Sequence, residues 1–135
     1  MRDPLAEPAP NPTKIRRNCP FCEIIYGSGD ATVLRNWGDA IAIVPLKPVV
    51  PGHVLVISKA HIQSFSSSPH IAAVTMNRAA EYADTMPGDL NLITSRGPAA
   101  TQSVDHFHLH LVPRAVDDGL ALPWYSGKRS RKAGR

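Results

Sequence analysis

Apolar residues recur at two spacings along this chain, and their alternation predicts a mixed fold. Ala72, Met76, Ala79, Ala80, Ala83 and Met86 follow a helical repeat and predict one amphipathic helix packed along that stripe. Ser68-Pro69 supplies an N-cap followed by a proline suited to a first helical position, and Pro87-Gly88 stops the helix. Residues 20–26 (PFCEIIY) predict a second, shorter helix ended by Gly27 and Gly29. Between and after these lie short β-rich runs. Thr32–Asn36 and Ala40–Val44 read as a hairpin turning through Trp37-Gly38-Asp39. Pro45, Pro48 and Pro51 exclude a strand between Val44 and Gly52. Residues 53–58 (HVLVIS), 89–95 and 106–112 complete five strands. The order α, β, β, β, α, β, β with short connections predicts an α+β fold: a five-stranded antiparallel sheet with two helices.

Length and composition change this picture little. With 135 residues, 43% of them hydrophobic, the chain is one domain able to bury a core, and disorder is excluded. No apolar run approaches the roughly 18 residues a bilayer span needs, and proline and charge interrupt the first 30 residues. The expectation is a cytoplasmic protein with no signal peptide and no membrane partner. The net charge of +4 at first suggests a nucleic-acid binder. It divides unevenly. Residues 1–18 carry four basic and two acidic side chains, residues 128–135 carry five basic and none acidic, and residues 19–127 carry six basic and nine acidic. The body is therefore −3 and the basic excess sits in the ends. We expect a flexible proline-rich tail over 1–17, a folded domain over 18–126 and a basic flexible tail over 127–135.

Residues 106–112 (HFHLHLV) carry the most chemistry. On a strand His106, His108 and His110 share one side, and Phe107, Leu109 and Leu111 share the other. The apolar side is expected in the core and the histidine side outside it. Three imidazoles in five residues suit either a metal site or nucleophilic and acid–base catalysis.

The neighbours of this strand discriminate. Gln102-Ser103-Val104 lies upstream and Pro113-Arg114 downstream, residues 48–56 read PVVPGHVLV, and residues 19–25 read CPFCEII. From Cys19 to Arg114, in order, the chain resembles the histidine triad (HIT) family of nucleotide hydrolases and transferases. The resemblance implies a HIT-like fold and a homodimer whose sheet continues across the interface. It implies a nucleoside monophosphate conjugate as substrate: a dinucleoside polyphosphate, a phosphoramidate or an adenylate. His108 takes the place of the nucleophile that attacks the α-phosphorus. His106 supplies a carbonyl that holds the His108 ring, His110 stabilises the phosphoryl oxygens, and Ser103 donates to phosphate or leaving group. The presence of histidine at 110, where related transferases tend to have Gln, favours hydrolysis. Further substrate contacts by matching position are Phe21, Ile24, Ile43 and Leu46 around the base, with Ser95, Gln102, Ser103, Val104 and His110 toward the phosphate. In the family His53 more often orders its loop than reacts.

Cys19-x-x-Cys22 alone admits a redox pair, a half-built zinc site or two inert thiols. No signal for export favours a disulfide. The resemblance extends to HIT proteins whose CxxC joins two histidines around a structural zinc, here His61 and His106. Three positions depart from the family. Pro45 stands where an Asp or Asn often holds ribose, Ser95 where an Asn or Gln often reaches the phosphate, and Thr101 where a Gly is usual. These departures motivate a rival reading, a nucleotide- or partner-binding protein without catalysis. A second rival removes adenylate from DNA ends with help from the basic tail; no Cys/His cluster after Pro113 supports an appended zinc finger, and it is not favoured. A third places all three histidines of the triad on one catalytic metal. Trp124 and Tyr125 are the last aromatics, suited to capping the core or reaching a partner's active site.

Overall fold

The computed structural model of the protein describes residues 19–27 and 29–122. The two expected tails, 1–17 and 127–135, and Trp124 and Tyr125 lie outside the described residues. Within them the chain forms α1 (Pro20–Ile25), β1 (Thr32–Asn36), β2 (Ala40–Val44), β3 (Val54–Ser58), α2 (Pro69–Ala83), β4 (Asp89–Ile93) and β5 (His108–Arg114), with a 3-10 turn over Pro98–Ala100 before β5. The five strands make one antiparallel sheet in the order β1-β2-β3-β5-β4. This is the α+β arrangement expected.

The alternation of side chains along the strands sorts the core into two layers. Ala40 and Ala42 of β2, Val54 and Val56 of β3, and Phe107, Leu109 and Leu111 point to the face that α2 covers with Ile71 and Ala79. Ile41, Ile43, Leu55 and Ile57 point to the opposite face, where α1 covers them with Phe21 and the two cysteines. The second layer corrects one expectation. The histidine side of β5 is not outside the core: His106 is fully buried and His108 nearly so. Phe21 packs edge-on against both rings, with centroids at 5.8 and 4.9 Å.

α2 begins where its cap predicts, with Ser68 Oγ accepting the Ile71 N–H. Its buried stripe is shifted, however. Ile71, Thr75 and Ala79 face the sheet, Ala72, Tyr82, Ala83 and Met86 flank them, and Met76 and Ala80 are exposed. The missed member is Thr75, whose hydroxyl donates to the Ile71 carbonyl at 2.8 Å and so enters the core without a lone polar group. β5 starts two residues later than expected and runs on through Pro113. There it pairs with Leu90 of β4, beyond the last β3 pair at Val54↔Leu111, so the missing proline N–H is not needed on the β3 side.

Candidate active site and metal centre

Three backbone and side-chain contacts set the protonation pattern of the histidines. The His106 carbonyl accepts from His108 Nδ1 at 2.7 Å, so the proton of neutral His108 is on Nδ1 and Nε2 keeps a lone pair. The Val49 N–H donates to His53 Nδ1 at 3.1 Å, which places the His53 proton on Nε2. From there it donates to His110 Nδ1 at 3.0 Å. Neutral His110 therefore carries its own proton on Nε2. Burial pushes all three rings toward the neutral form. It lowers His53 and His108 from the ordinary histidine value, and it takes His110 down to about 4 together with repulsion from His108 and His53. At neutral pH the site thus presents an imidazole lone pair and an imidazole N–H.

His53, His108 and His110 line a cleft of about 440 Å³ together with Phe21, Ile24, Ile43, Leu46, Ser103 and Val104. Of the expected substrate contacts, Ser95 and Gln102 are not among its walls. The Gln102 amide is committed to its own loop: Nε2 donates to the carbonyls of Gln63 and Val104, and Oε1 accepts the Gly97 N–H. That bracing carries Ser103 and Val104 to the cleft. Thr101, between the 3-10 turn and Gln102, sits at φ 68°, in the left-handed region that a glycine enters without strain. Pro45 lines the cleft and offers neither N–H nor a polar side chain there. Sequence reasoning missed Glu23, Asp30 and Lys47, which also line it; no motif marks them. It also missed the contact of His53 with His110, for which a histidine opening an otherwise apolar strand was the available signal.

Behind the cleft a second group assembles. Cys19, Cys22, His61 and His106 bring one ligand atom each within 4.8 Å of one another. Neither cysteine is in a disulfide. Cys19 Sγ lies 3.3 Å and Cys22 Sγ 3.6 Å from His106 Nδ1, Cys22 Sγ lies 3.2 Å from His61 Nδ1, and the two Nδ1 atoms are 3.0 Å apart. The edges of a tetrahedron built on zinc–sulfur and zinc–nitrogen bonds are about 3.3–3.8 Å, so the donor set fits that ion after small adjustments. The Ser58 carbonyl, 2.6 Å from His106 Nε2, accepts the Nε2–H of that ring, which leaves Nδ1 as the ligand atom. Burial then pushes His106 down to about 4, which favours the unprotonated form a metal requires. The three triad rings do not converge on one point, and among the described residues no other Cys, His, Asp or Glu group converges in this way.

Residues 27–117 match the HIT domain family. The chain is 36% identical over 122 residues to an uncharacterized HIT-like protein of Mycoplasma genitalium, covering 86% of each. It is 29% identical over 112 residues to an adenosine 5′-monophosphoramidase of Schizosaccharomyces pombe, covering 81% of this chain and 84% of that one. A crystal structure of a zinc-bound histidine triad family protein from Mycobacterium smegmatis superposes with a TM-score of 0.68 at 29% identity, covering 78% and 81%.

Proposed function

The chain belongs to the HIT domain family, and from that premise we propose that it hydrolyses a nucleoside monophosphate conjugate at the α-phosphorus through a nucleotidyl-histidine intermediate. The observation that carries the reading is the tautomer of His108. Its Nδ1–H is held by the His106 carbonyl, which turns an unprotonated Nε2 toward the cleft as a nucleophile. Attack forms an Nε2–phosphorus bond, and the leaving group departs with its electron pair and takes up a proton. Water then attacks the phosphorus, releasing the nucleoside monophosphate and restoring the ring. The positive charge that His108 carries in between is shared with the His106 carbonyl. His110 Nε2–H donates to the phosphoryl oxygens as they gain charge, and Ser103 donates to the phosphate or the leaving group. The fission yeast relative acts, by its name, as an adenosine 5′-monophosphoramidase, which supports a phosphoramidate as the first substrate class to test.

Cys19, Cys22, His61 and His106 would hold a zinc ion, which when bound supplies rigidity rather than a reacting group. His106 is then the strut between that centre and the nucleophile. The homodimer belongs to the same reading: β4 is an edge strand with Leu92 and Ile93 exposed, and a second copy paired there would extend the sheet. Light scattering giving twice the chain mass supports it, and a monomer across the working concentration range counts against it.

The mechanism is tested by His108→Ala. Turnover of AMP and GMP phosphoramidates should vanish while nucleotide binding persists, and a rapidly quenched wild-type reaction should show the chain heavier by one nucleotidyl group. Full activity in the variant would overturn the mechanism.

A further inference from the structure

The cleft extends well past the histidines. His108 and His110 stand on β5, and the strand order runs from β5 through β3 and β2 to β1. β1 therefore lies three strand spacings, about 14 Å, from the triad. On the proposed function, a nucleotide with its phosphorus against His108 that follows the cleft along its length would direct its base toward that far rim. Beyond the pair Thr32↔Val44, the rim is formed by Asp30 and Ala31 on one side and by Pro45 and Leu46 on the other.

The walls of this outer part are mostly apolar: Ile24, Ile43, Val44, Pro45 and Leu46 offer surface to a ring but no side-chain hydrogen bond. Two carboxylates and one ammonium interrupt them: Glu23, Asp30 and Lys47. Glu23, on α1, already has an interaction of its own. Asp30 is exposed and has no hydrogen bond or ion pair among the described residues. Its position is held from behind. The Gly29 N–H donates to the Glu23 carbonyl at 3.0 Å, and a Cβ on Gly29 would meet the Ile24 backbone nitrogen at 3.0 Å. The chain thus lies flush on α1 immediately before Asp30.

We propose that Asp30 reads the edge of the base and makes the cleft prefer guanine over adenine; this rests on the nucleotide-hydrolase reading above. A carboxylate only accepts hydrogen bonds. Guanine presents N1–H and the N2 amino group side by side, which match two carboxylate oxygens in parallel. Adenine presents its N6 amino group beside the N1 lone pair, so one oxygen is satisfied and the other repelled. Hypoxanthine, with N1–H alone, lies between them.

Calorimetric titration of the full chain with GMP, IMP and AMP tests this without relying on turnover. The expected order is GMP, then IMP, then AMP, with about tenfold or more between first and last, as for a well-formed bidentate contact. Asp30→Ala should bring the GMP and AMP affinities together. Asp30→Asn, whose carboxamide accepts from N6–H and donates to N1, should reverse the order. Wild-type protein that binds AMP as tightly as GMP overturns the proposal alone, as does an Asp30→Ala variant with an unchanged ratio. A ratio that collapses in Glu23→Gln and persists in Asp30→Ala overturns it too. Wild-type protein that binds none of the three nucleotides overturns both this proposal and the reading on which it rests.

Discussion

Replacing His53 by Leu removes two hydrogen bonds at once and isolates what this residue does for the triad. In the wild type the Val49 N–H fixes the His53 tautomer, and His53 Nε2–H in turn fixes the ring and the tautomer of His110. The Val49 N–H belongs to an exposed residue and regains a partner in water. His110 Nδ1 sits deeper and does so poorly. Two neutral hydrogen bonds at about 0.5–1.5 kcal/mol each place the stability cost near 1–3 kcal/mol. The catalytic cost is larger. A fully misplaced oxyanion donor lowers kcat by about 100- to 1000-fold, and a ring that keeps its place part of the time should lose about 10- to 100-fold. Because the donor acts on charge that develops during the reaction, kcat should fall while KM changes by less than about threefold. Steady-state turnover of a nucleoside phosphoramidate gives both constants, and nitrogen NMR of the histidine side chains reports the His110 tautomer. His53→Gln, which keeps a side-chain donor, should recover part of the rate. A His53→Leu enzyme with a kcat within threefold of wild type and His110 still protonated on Nε2 would refute the reasoning.

Three further outcomes follow from the same geometry. His110 is held down to about 4 in the fold against about 6.5 in the unfolded chain, so the unfolded state binds the proton first as pH falls. The contribution of His110 to stability is full above about 6.5 and declines as pH drops toward 4; the acid limb of kcat/KM follows protonation of the His108 lone pair, which burial lowers from the ordinary histidine value, so it should lie below about 6.5, and a limb at or above that value would contradict this. Thr101→Gly relieves a β-branched residue at φ 68°: strain of about 1–2 kcal/mol, less about 0.5–1 kcal/mol of glycine entropy, leaves a gain near 1 kcal/mol, and a lowered Tm would count against it. Protein purified without chelators should contain one zinc per chain by elemental analysis, and Cys22→Ser should lose most of it and roughly 10 °C in Tm; a zinc-free wild type would dismiss the metal assignment.

Much of this was legible in the sequence, for local reasons. The runs AIAIV and VLVIS leave a strand little alternative, and Ser68-Pro69 with Pro87-Gly88 bracket α2 by chemistry that acts over a few residues. The set Cys19, Cys22, His61 and His106 was named from resemblance, and the fold brings those four together across up to 87 positions of chain. What stayed hidden depended on tertiary placement. The phase of α2 is not legible in its apolar stripe because Thr75 reads as polar until its hydroxyl finds the Ile71 carbonyl. The burial of the histidine side follows from α1 lying over it, which no periodicity in β5 announces. Val33 and Leu34 stand exposed on an edge strand whose register shifts between Val33 and Arg35, which the apolar character of their side chains does not announce.

α1 has a consequence for how ligands affect one another. At six residues it is far shorter than the roughly 12–15 at which a helix sustains itself in water, so its order is borrowed from what it touches. It carries Cys19, as its cap, and Cys22 on the metal side, while Phe21 and Ile24 face the cleft. Whatever orders this helix from one side lowers the entropic cost of binding on the other. A metal held by the cysteines and a nucleotide seated in the cleft would then be coupled through it, and such coupling is reciprocal. On the proposed function, the factor by which zinc would tighten nucleotide binding must equal the factor by which nucleotide would tighten the hold on zinc.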